Sequence, residues 1–326
     1  MGVAFLFPGQ GSQVSGMLHS LPDHPVIART LDEVSESLEQ NVLRLDSAAA
    51  LQSTVSVQLA LLASGVAVAR ALIADGVGPE AVAGMSVGAF SAAIVASVLN
   101  LADGVRLVKQ RAEMMVELYP RGYGLAAIVG LKEEQVSILV QEAHSMQTPV
   151  YVANINAPRQ IVIAGSNDGM NKVLEGARKR GALKAVRLDV SEPSHCPLLE
   201  PVADALEKSL QEMHLQQPKM IYMSNVTGRA LRSAAAISED FATNIAHGVR
   251  WYDATTVLEE LGFRLFLEMP PGHVLSHLAG EAFPDVETVA VGETSFEHTL
   301  LLQSIRADQT PEGTRPSVLF PGLFTR

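Results

Sequence analysis

Gly84-Met85-Ser86-Val87-Gly88 separates a short apolar run, Ala81-Val82-Ala83, from a stretch of helical composition, Ala89 to Leu99. A strand that turns sharply into a helix is the building unit of a parallel α/β fold. The pentapeptide fits G-x-S-x-G, the nucleophile elbow, in which a serine is lifted above the sheet on a tight turn. Its glycines permit the close backbone approach and unusual dihedrals such a turn requires. The following helix aims unpaired N–H groups and a positive dipole end at the same spot, which favours an oxyanion. The bland alternative for Ser86 is a structural turn with a buried hydroxyl.

Other segments extend the α/β reading. Val3 to Phe7 is a buried strand that stops at Pro8-Gly9. Thr54 to Ala74 reads as a buried helix ending near Gly76, and Leu101 to Leu118 as another that stops before Pro120. Between about Gly122 and Val190 the pattern changes. Leu125–Val129, Val150–Asn154, Ile161–Ala164 and Ala185–Leu188 are short strand candidates, interleaved with helical stretches at Glu133–His144 and Gly169–Arg180. That β-α-β-β-α-β order predicts a ferredoxin-like α+β insert. The larger domain resumes with a helix at Leu198–Met213, a strand at Met220–Ser224, a helix at Tyr252–Leu261 and a strand at Arg264–Glu268. The expected organisation is a large α/β domain over 1–121 and 191–306, a small subdomain over 122–190, and an irregular tail at 307–326.

Composition narrows the function classes. A formal net charge of −11 argues against non-specific nucleic-acid binding, which needs clustered Lys and Arg. One cysteine, Cys196, leaves no internal disulfide or cysteine zinc cluster and fits a reducing cytoplasm. MGVAFLFPGQGSQ lacks the basic n-region of a secretory signal. Val55 to Ile73 is the nearest approach to a membrane span, interrupted by Gln58, Ser64, Gly65 and Arg70. The expectation is a cytoplasmic protein with neither nucleic acid nor membrane as partner.

A nucleophilic serine needs a base. His19, His24, His144, His214, His247 and His298 stand in polar settings, whereas His195 lies in the loop Ser191-Glu192-Pro193-Ser194-His195-Cys196-Pro197, just before a helix. It is either that base or a loop imidazole bonded to backbone. Cys196 is a rival nucleophile in principle, but nothing nearby would clearly lower its pKa, so a small buried thiol is the preferred reading. Arg111 is flanked at i−4, i−3, i+3 and i+4 by Leu107, Val108, Met114 and Met115, while Arg106, Lys109, Gln110 and Glu113 share the opposite face. A guanidinium facing inward requires an anion: a fixed Asp or Glu in the core, or a carboxylate on the substrate. Gly9-Gln10-Gly11-Ser12-Gln13 would let backbone approach a ligand at the end of the first strand, and lacks the ending of a phosphate-binding P-loop. Arg178, Lys179, Arg180, Lys184 and Arg187 form a basic stretch that would suit an acidic partner or a solvated helix face.

Taken together, FPGQGSQ, GMSVG, QRAEMM around Arg111, ANINAPRQIVIAG, SHCPLL around His195, GVRW and EMPPGHVL resemble the malonyl-CoA:acyl-carrier-protein transacylase family from about Val3 to Ile305. The resemblance implies a hydrolase-like parallel-sheet domain with an inserted ferredoxin-like subdomain, and an active site in the groove between them. It implies Ser86 as nucleophile, His195 as base, and Arg111 as the clamp on a malonyl carboxylate. The main-chain N–H groups of Gln10 and Val87 would form the oxyanion hole, and a carbonyl at Asn244 would orient His195. Met85, Asn156 and Ser194 are implied as substrate-lining. No metal and no cofactor beyond the coenzyme A thioester are expected; the partners are malonyl-CoA and an acyl carrier protein. Two departures are visible: Met85 stands where the elbow usually has histidine, and Ser194 where malonyl-specific members often have phenylalanine. These departures resemble the epsilon subunit of malonate decarboxylase, which loads that enzyme's own carrier subunit, and this narrower reading is preferred over the fatty-acid transacylase. A serine esterase and a non-catalytic scaffold are the remaining alternatives.

Overall fold

The computed structural model describes residues 2–300 apart from Pro120, Ser295 and Glu297, so the tail expected at 307–326 lies outside the described residues. The chain opens with β1 (Gly2–Phe7), α1 (Pro25–Leu38), α2 (Thr54–Ala74), β2 (Ala81–Gly84), α3 (Gly88–Val95) and α4 (Leu101–Leu118). It continues through β3 (Tyr123–Val129), α5 (Glu133–Ala143), β4 (Val150–Ala157), β5 (Gln160–Ser166), α6 (Asn167–Lys179) and β6 (Lys184–Arg187). There follow α7 (Glu200–Gln211), β7 (Ile221–Met223), β8 (Ala230–Leu231), α8 (Ala234–Asn244), α9 (Trp251–Glu260), β9 (Phe263–Glu268), α10 (Val274–Ala282) and β10 (Glu287–Ala290).

The first sheet runs β10-β9-β1-β2-β7-β8, parallel throughout except for β8 at its edge. β1 lies inside it and every one of its residues is buried. Side chains alternate between faces of a strand, so Val3, Phe5 and Phe7 enter one core while Ala4 and Leu6 enter another. Burial on both faces is why the run is continuously apolar rather than alternating. The core behind Phe5 and Phe7 is built largely from α2, whose length and apolarity would suffice to cross a membrane. However, 83% of its apolar window is buried within the protein, so it is a core helix. Gly65 lets it approach Phe7 closely: an added Cβ would lie 3.2 Å from that ring.

The second sheet, β4-β5-β3-β6, is antiparallel and carries α5 and α6 over its own core of Ile128, Val136, Leu139, Ile161, Ile163 and Val173. Its connectivity is that of a ferredoxin-like unit. It is stitched to the large domain where Ile155 N–H donates to Val249 O and Val249 N–H donates to Ala153 O, both at 2.8 Å.

Several element limits differ from those expected. α3 stops at Val95, and the chain soon turns through Ser97 at φ 64°. α7 begins at Glu200 because Pro197–Leu199 forms a separate 3₁₀ turn and Pro201 occupies the first helical turn, where a missing N–H costs least. α1, β8, α8, α10 and β10 are additional elements the sequence reading did not resolve.

Candidate active site

The elbow is an interlock. A Cβ on Gly84 would fall 2.1 Å from the carbonyl of Gly88, and one on Gly88 would fall 2.2 Å from Phe7 O. Only glycine allows α3 to pass this closely over the ends of β1 and β2. Between them Ser86 takes φ 56°, a strained left-handed conformation for a residue with a side chain. Its N–H donates to Asn225 Oδ1 at 2.9 Å, and Asn225 Nδ2 donates to Gly84 O at 2.8 Å. Asn225 follows β7 and is itself held by Asp240, whose carboxylate accepts Asn225 N–H at 3.3 Å, Val226 N–H at 3.2 Å and the Ser224 hydroxyl. Burial raises the pKa of Asp240, and those donors oppose the rise. Neither Asn225 nor Asp240 featured in the sequence reading. The available signal was position: Ser224-Asn225 ends a strand beside the elbow strand, at the carboxyl edge where open α/β sheets bind ligands.

Because Asn225 engages the N–H of Ser86, the donors left for an oxyanion lie elsewhere. Among the described residues, the main-chain N–H groups of Val87 and Gln10 donate to no protein atom. The Gln10 loop lies directly against the elbow, since a Cβ on Gly9 would sit 2.9 Å from Met85 O.

His195 sits at φ 58°, its N–H tied to Ile245 O at 2.8 Å. Its Nδ1 is 2.8 Å from Asn244 O and its Nε2 is 2.7 Å from Ser86 Oγ. A carbonyl oxygen only accepts, so Nδ1 carries the proton and Nε2 offers its lone pair to the Ser86 hydroxyl. Burial, reinforced by the charge of Arg111, drives the His195 pKa down to about 3, so the ring is a neutral base at neutral pH. A main-chain carbonyl does the orienting that an acidic residue performs in a triad. Cys196 next door is buried, which pushes its thiol up to about 12; it is no competing nucleophile.

Arg111 enters the same space from α4 and is only 2% exposed. Its Nη2 donates to Ser86 Oγ at 2.9 Å and its Nη1 to Gln58 Oε1 at 2.5 Å. Among the described residues no carboxylate pairs with it. Of the two anions the sequence allowed, a fixed core carboxylate is therefore removed. Burial lowers the guanidinium pKa to about 9, which leaves it charged at neutral pH.

The remaining candidates are less engaged. Met85 is half-buried against the core on the far side of the sheet, Ser194 is buried beside His195, and the Asn156 side-chain oxygen is buried without a partner. None of the three hydrogen-bonds Ser86, His195 or Arg111. The basic stretch is largely spent within the fold: Lys179 pairs with Glu175, Arg180 with Glu142, and Arg178 and Arg187 bond Ala185 O and Asn167 Oδ1. A cleft of about 600 Å³, lined by Gln10, Thr54, Arg121, Tyr123, Arg187 and Ser191 among others, opens between the two domains beside the site.

The acyl transferase domain family matches residues 4–310. The malonyl CoA-acyl carrier protein transacylase of Bacillus subtilis is 34% identical over 296 residues, covering 89% of this chain and 93% of that protein. An acyl-carrier-protein S-malonyltransferase from Burkholderia pseudomallei superposes with a TM-score of 0.87 at 34% identity, covering 94% of this chain and 100% of that one. A malonyl-transacylase solved in complex with its type II polyketide synthase acyl-carrier protein superposes equally well, with a TM-score of 0.87 at 32% identity over 94% of this chain and 100% of that one. With its interlocked elbow, its serine–histidine pair and its unpaired buried arginine, the chain belongs to the malonyl-CoA:acyl-carrier-protein transacylase family of acyl transferases.

Proposed function

We propose that this protein transfers a malonyl group from malonyl-CoA to the thiol of an acyl carrier protein through an ester on Ser86. The observation that carries the proposal is the buried Arg111 guanidinium, without a carboxylate partner and 2.9 Å from Ser86 Oγ. In a malonyl thioester the free carboxylate is one CH₂ away from the reacting carbonyl. A carboxylate on Arg111 therefore sets that carbonyl beside the nucleophile, so binding and orientation are one event.

In the first half-reaction His195 Nε2 takes the Ser86 proton as Oγ bonds to the thioester carbon. The resulting oxyanion falls to the N–H groups of Val87 and Gln10, an interaction of about 3 kcal/mol per donor in comparable sites. Collapse expels the coenzyme A thiolate, which takes the proton from His195. In the second half the carrier thiol gives its proton to His195 and attacks the ester, and the serine is restored when the same proton returns to Oγ. The scheme runs on these side chains, the two main-chain donors and the two thiols, and a reducing cytoplasmic setting is part of the proposal.

The relatives compared above are named as malonyl transacylases acting with acyl carrier proteins, which favours a general acyl carrier protein over the decarboxylase-subunit expectation. Met85 and Ser194, the two departures at the elbow and before the base, favour the decarboxylase carrier as the second reading. The experiment is to load the enzyme with malonyl-CoA and then add either a fatty-acid-type acyl carrier protein or a decarboxylase-type carrier. Faster discharge onto the first supports the proposal, faster discharge onto the second supports the alternative, and rapid release of free malonate without a carrier identifies a hydrolase.

A further inference from the structure

Among the buried ionisable side chains around this site, two face each other across it without a direct partner of opposite sign. One is Arg111. The other is Glu192, three residues before His195 and 5% exposed; no cation lies within ion-pair distance of it among the described residues. Its carboxylate accepts the Thr54 hydroxyl at 2.9 Å on Oε2 and the Ser191 hydroxyl at 3.2 Å on Oε1. A buried guanidinium without a direct counter-ion is costly, and side chains that link it to a carboxylate across the site offset that cost.

The connection is a chain of side chains. Arg111 Nη1 donates to Gln58 Oε1 at 2.5 Å, Gln58 Nε2 to Gln10 Oε1 at 3.5 Å, Gln10 Nε2 to Thr54 Oγ1 at 3.3 Å, and Thr54 Oγ1 to Glu192 Oε2 at 2.9 Å. Its direction is not free. Arg111 has no acceptor, so Gln58 must present its oxygen and turn its NH₂ towards Gln10. Gln10 must then present its oxygen, which leaves its NH₂ for Thr54. The Thr54 oxygen is thereby occupied as an acceptor, and its proton is directed to the carboxylate, which only accepts. Every donor points the same way, from the cation to the anion, and each dipole strengthens the next.

We propose that Glu192 is a positioning residue for Arg111, acting through Thr54, Gln10 and Gln58 to hold the guanidinium by its Nη1 edge and leave the Nη2 edge for a substrate carboxylate. The design compensates the cation without filling it. A carboxylate in place of Gln58 would satisfy Arg111 directly and compete with a dicarboxylate acyl group; one placed three side chains away does not reach it. The proposal rests on Arg111 serving as the carboxylate clamp.

The test compares acylation of the full chain by malonyl-CoA and by acetyl-CoA in Glu192→Gln, Thr54→Val and Gln58→Glu, with Arg111→Ala run in parallel and the melting temperature of each recorded. Glu192→Gln keeps the shape and removes the charge; the expected result is a rise in KM for malonyl-CoA of about 10-fold, kcat nearly unchanged, and acetyl kinetics at the parental level. Its alkaline limb for malonyl loading should also move to lower pH, which a merely structural residue would not cause. Thr54→Val breaks the chain without touching a charge and should act in the same direction, so the test survives if the first variant folds poorly. Gln58→Glu should suppress malonyl loading more than either. If folded Glu192→Gln and Thr54→Val keep the parental malonyl-to-acetyl ratio while Arg111→Ala loses it, the chain has no positioning role and the clamp stands. A parental ratio in Arg111→Ala removes the clamp, and this proposal with it.

Discussion

Two buried polar networks flank Ser86, and they are built on opposite principles. On one side Asn225, Asp240 and Ser224 close on themselves: the serine N–H, the Gly84 carbonyl and the Asp240 carboxylate are all satisfied by protein groups. On the other side the chain from Glu192 ends at Arg111, whose Nη2 meets only the Ser86 hydroxyl among the described residues. A closed network fixes geometry, because every buried donor and acceptor is already paired. An open one leaves a charge to be completed by a ligand. Ser86 is therefore held in its strained conformation by one half of the site, while on the proposed reading the other half presents the substrate.

That contrast can be broken piece by piece. His195→Ala removes the base common to both donors, and acylation by malonyl-CoA and acetyl-CoA should fall alike, by about 10²- to 10⁴-fold in single-turnover loading. Arg111→Ala attacks only the open side: malonyl loading should fall by about 10²-fold and the malonyl-to-acetyl ratio should collapse, as read by competition between the two thioesters. Asn225→Ala attacks the closed side. It should slow both donors by the same modest factor and destabilise the fold by about 1–3 kcal/mol, seen as a lower melting temperature with an unchanged ratio. The smallest effect is in pH. Malonyl loading should decline above about pH 9 as Arg111 loses its proton, while acetyl loading continues. Because His195 stays neutral down to about pH 3, neither donor should show an acid limb near the ordinary imidazole pKa of about 6.5. An acid limb there would mean that the base is solvated in the working enzyme.

The sequence carried the closed chemistry of the elbow well and the supporting groups poorly. Gly84 and Gly88 flank Ser86 within one pentapeptide, and the apolar neighbours of Arg111 lie within one helical turn on either side, so both are visible locally. The alternating β and α segments of the insert were legible for the same reason, since period and length are local properties. Asn225 and Glu192 were not. The first acts on Ser86 across 139 positions and the second on Thr54 across 138 positions, and a polar residue in a loop announces nothing about so distant a partner. The pairing state of Arg111 is likewise a property of the whole interior; the helix pattern shows only that it turns inward. α2 was readable as buried but not as the centre of the core, because a helix apolar on all sides has no stripe to point with.

The most direct test of the central claim is the mass of the intact protein after exposure to malonyl-CoA or acetyl-CoA without a carrier. The account predicts one malonyl adduct, located on Ser86, lost in Ser86→Ala and much weaker with acetyl-CoA. An equal adduct from both thioesters, or a malonyl adduct that survives Ser86→Ala, would contradict it.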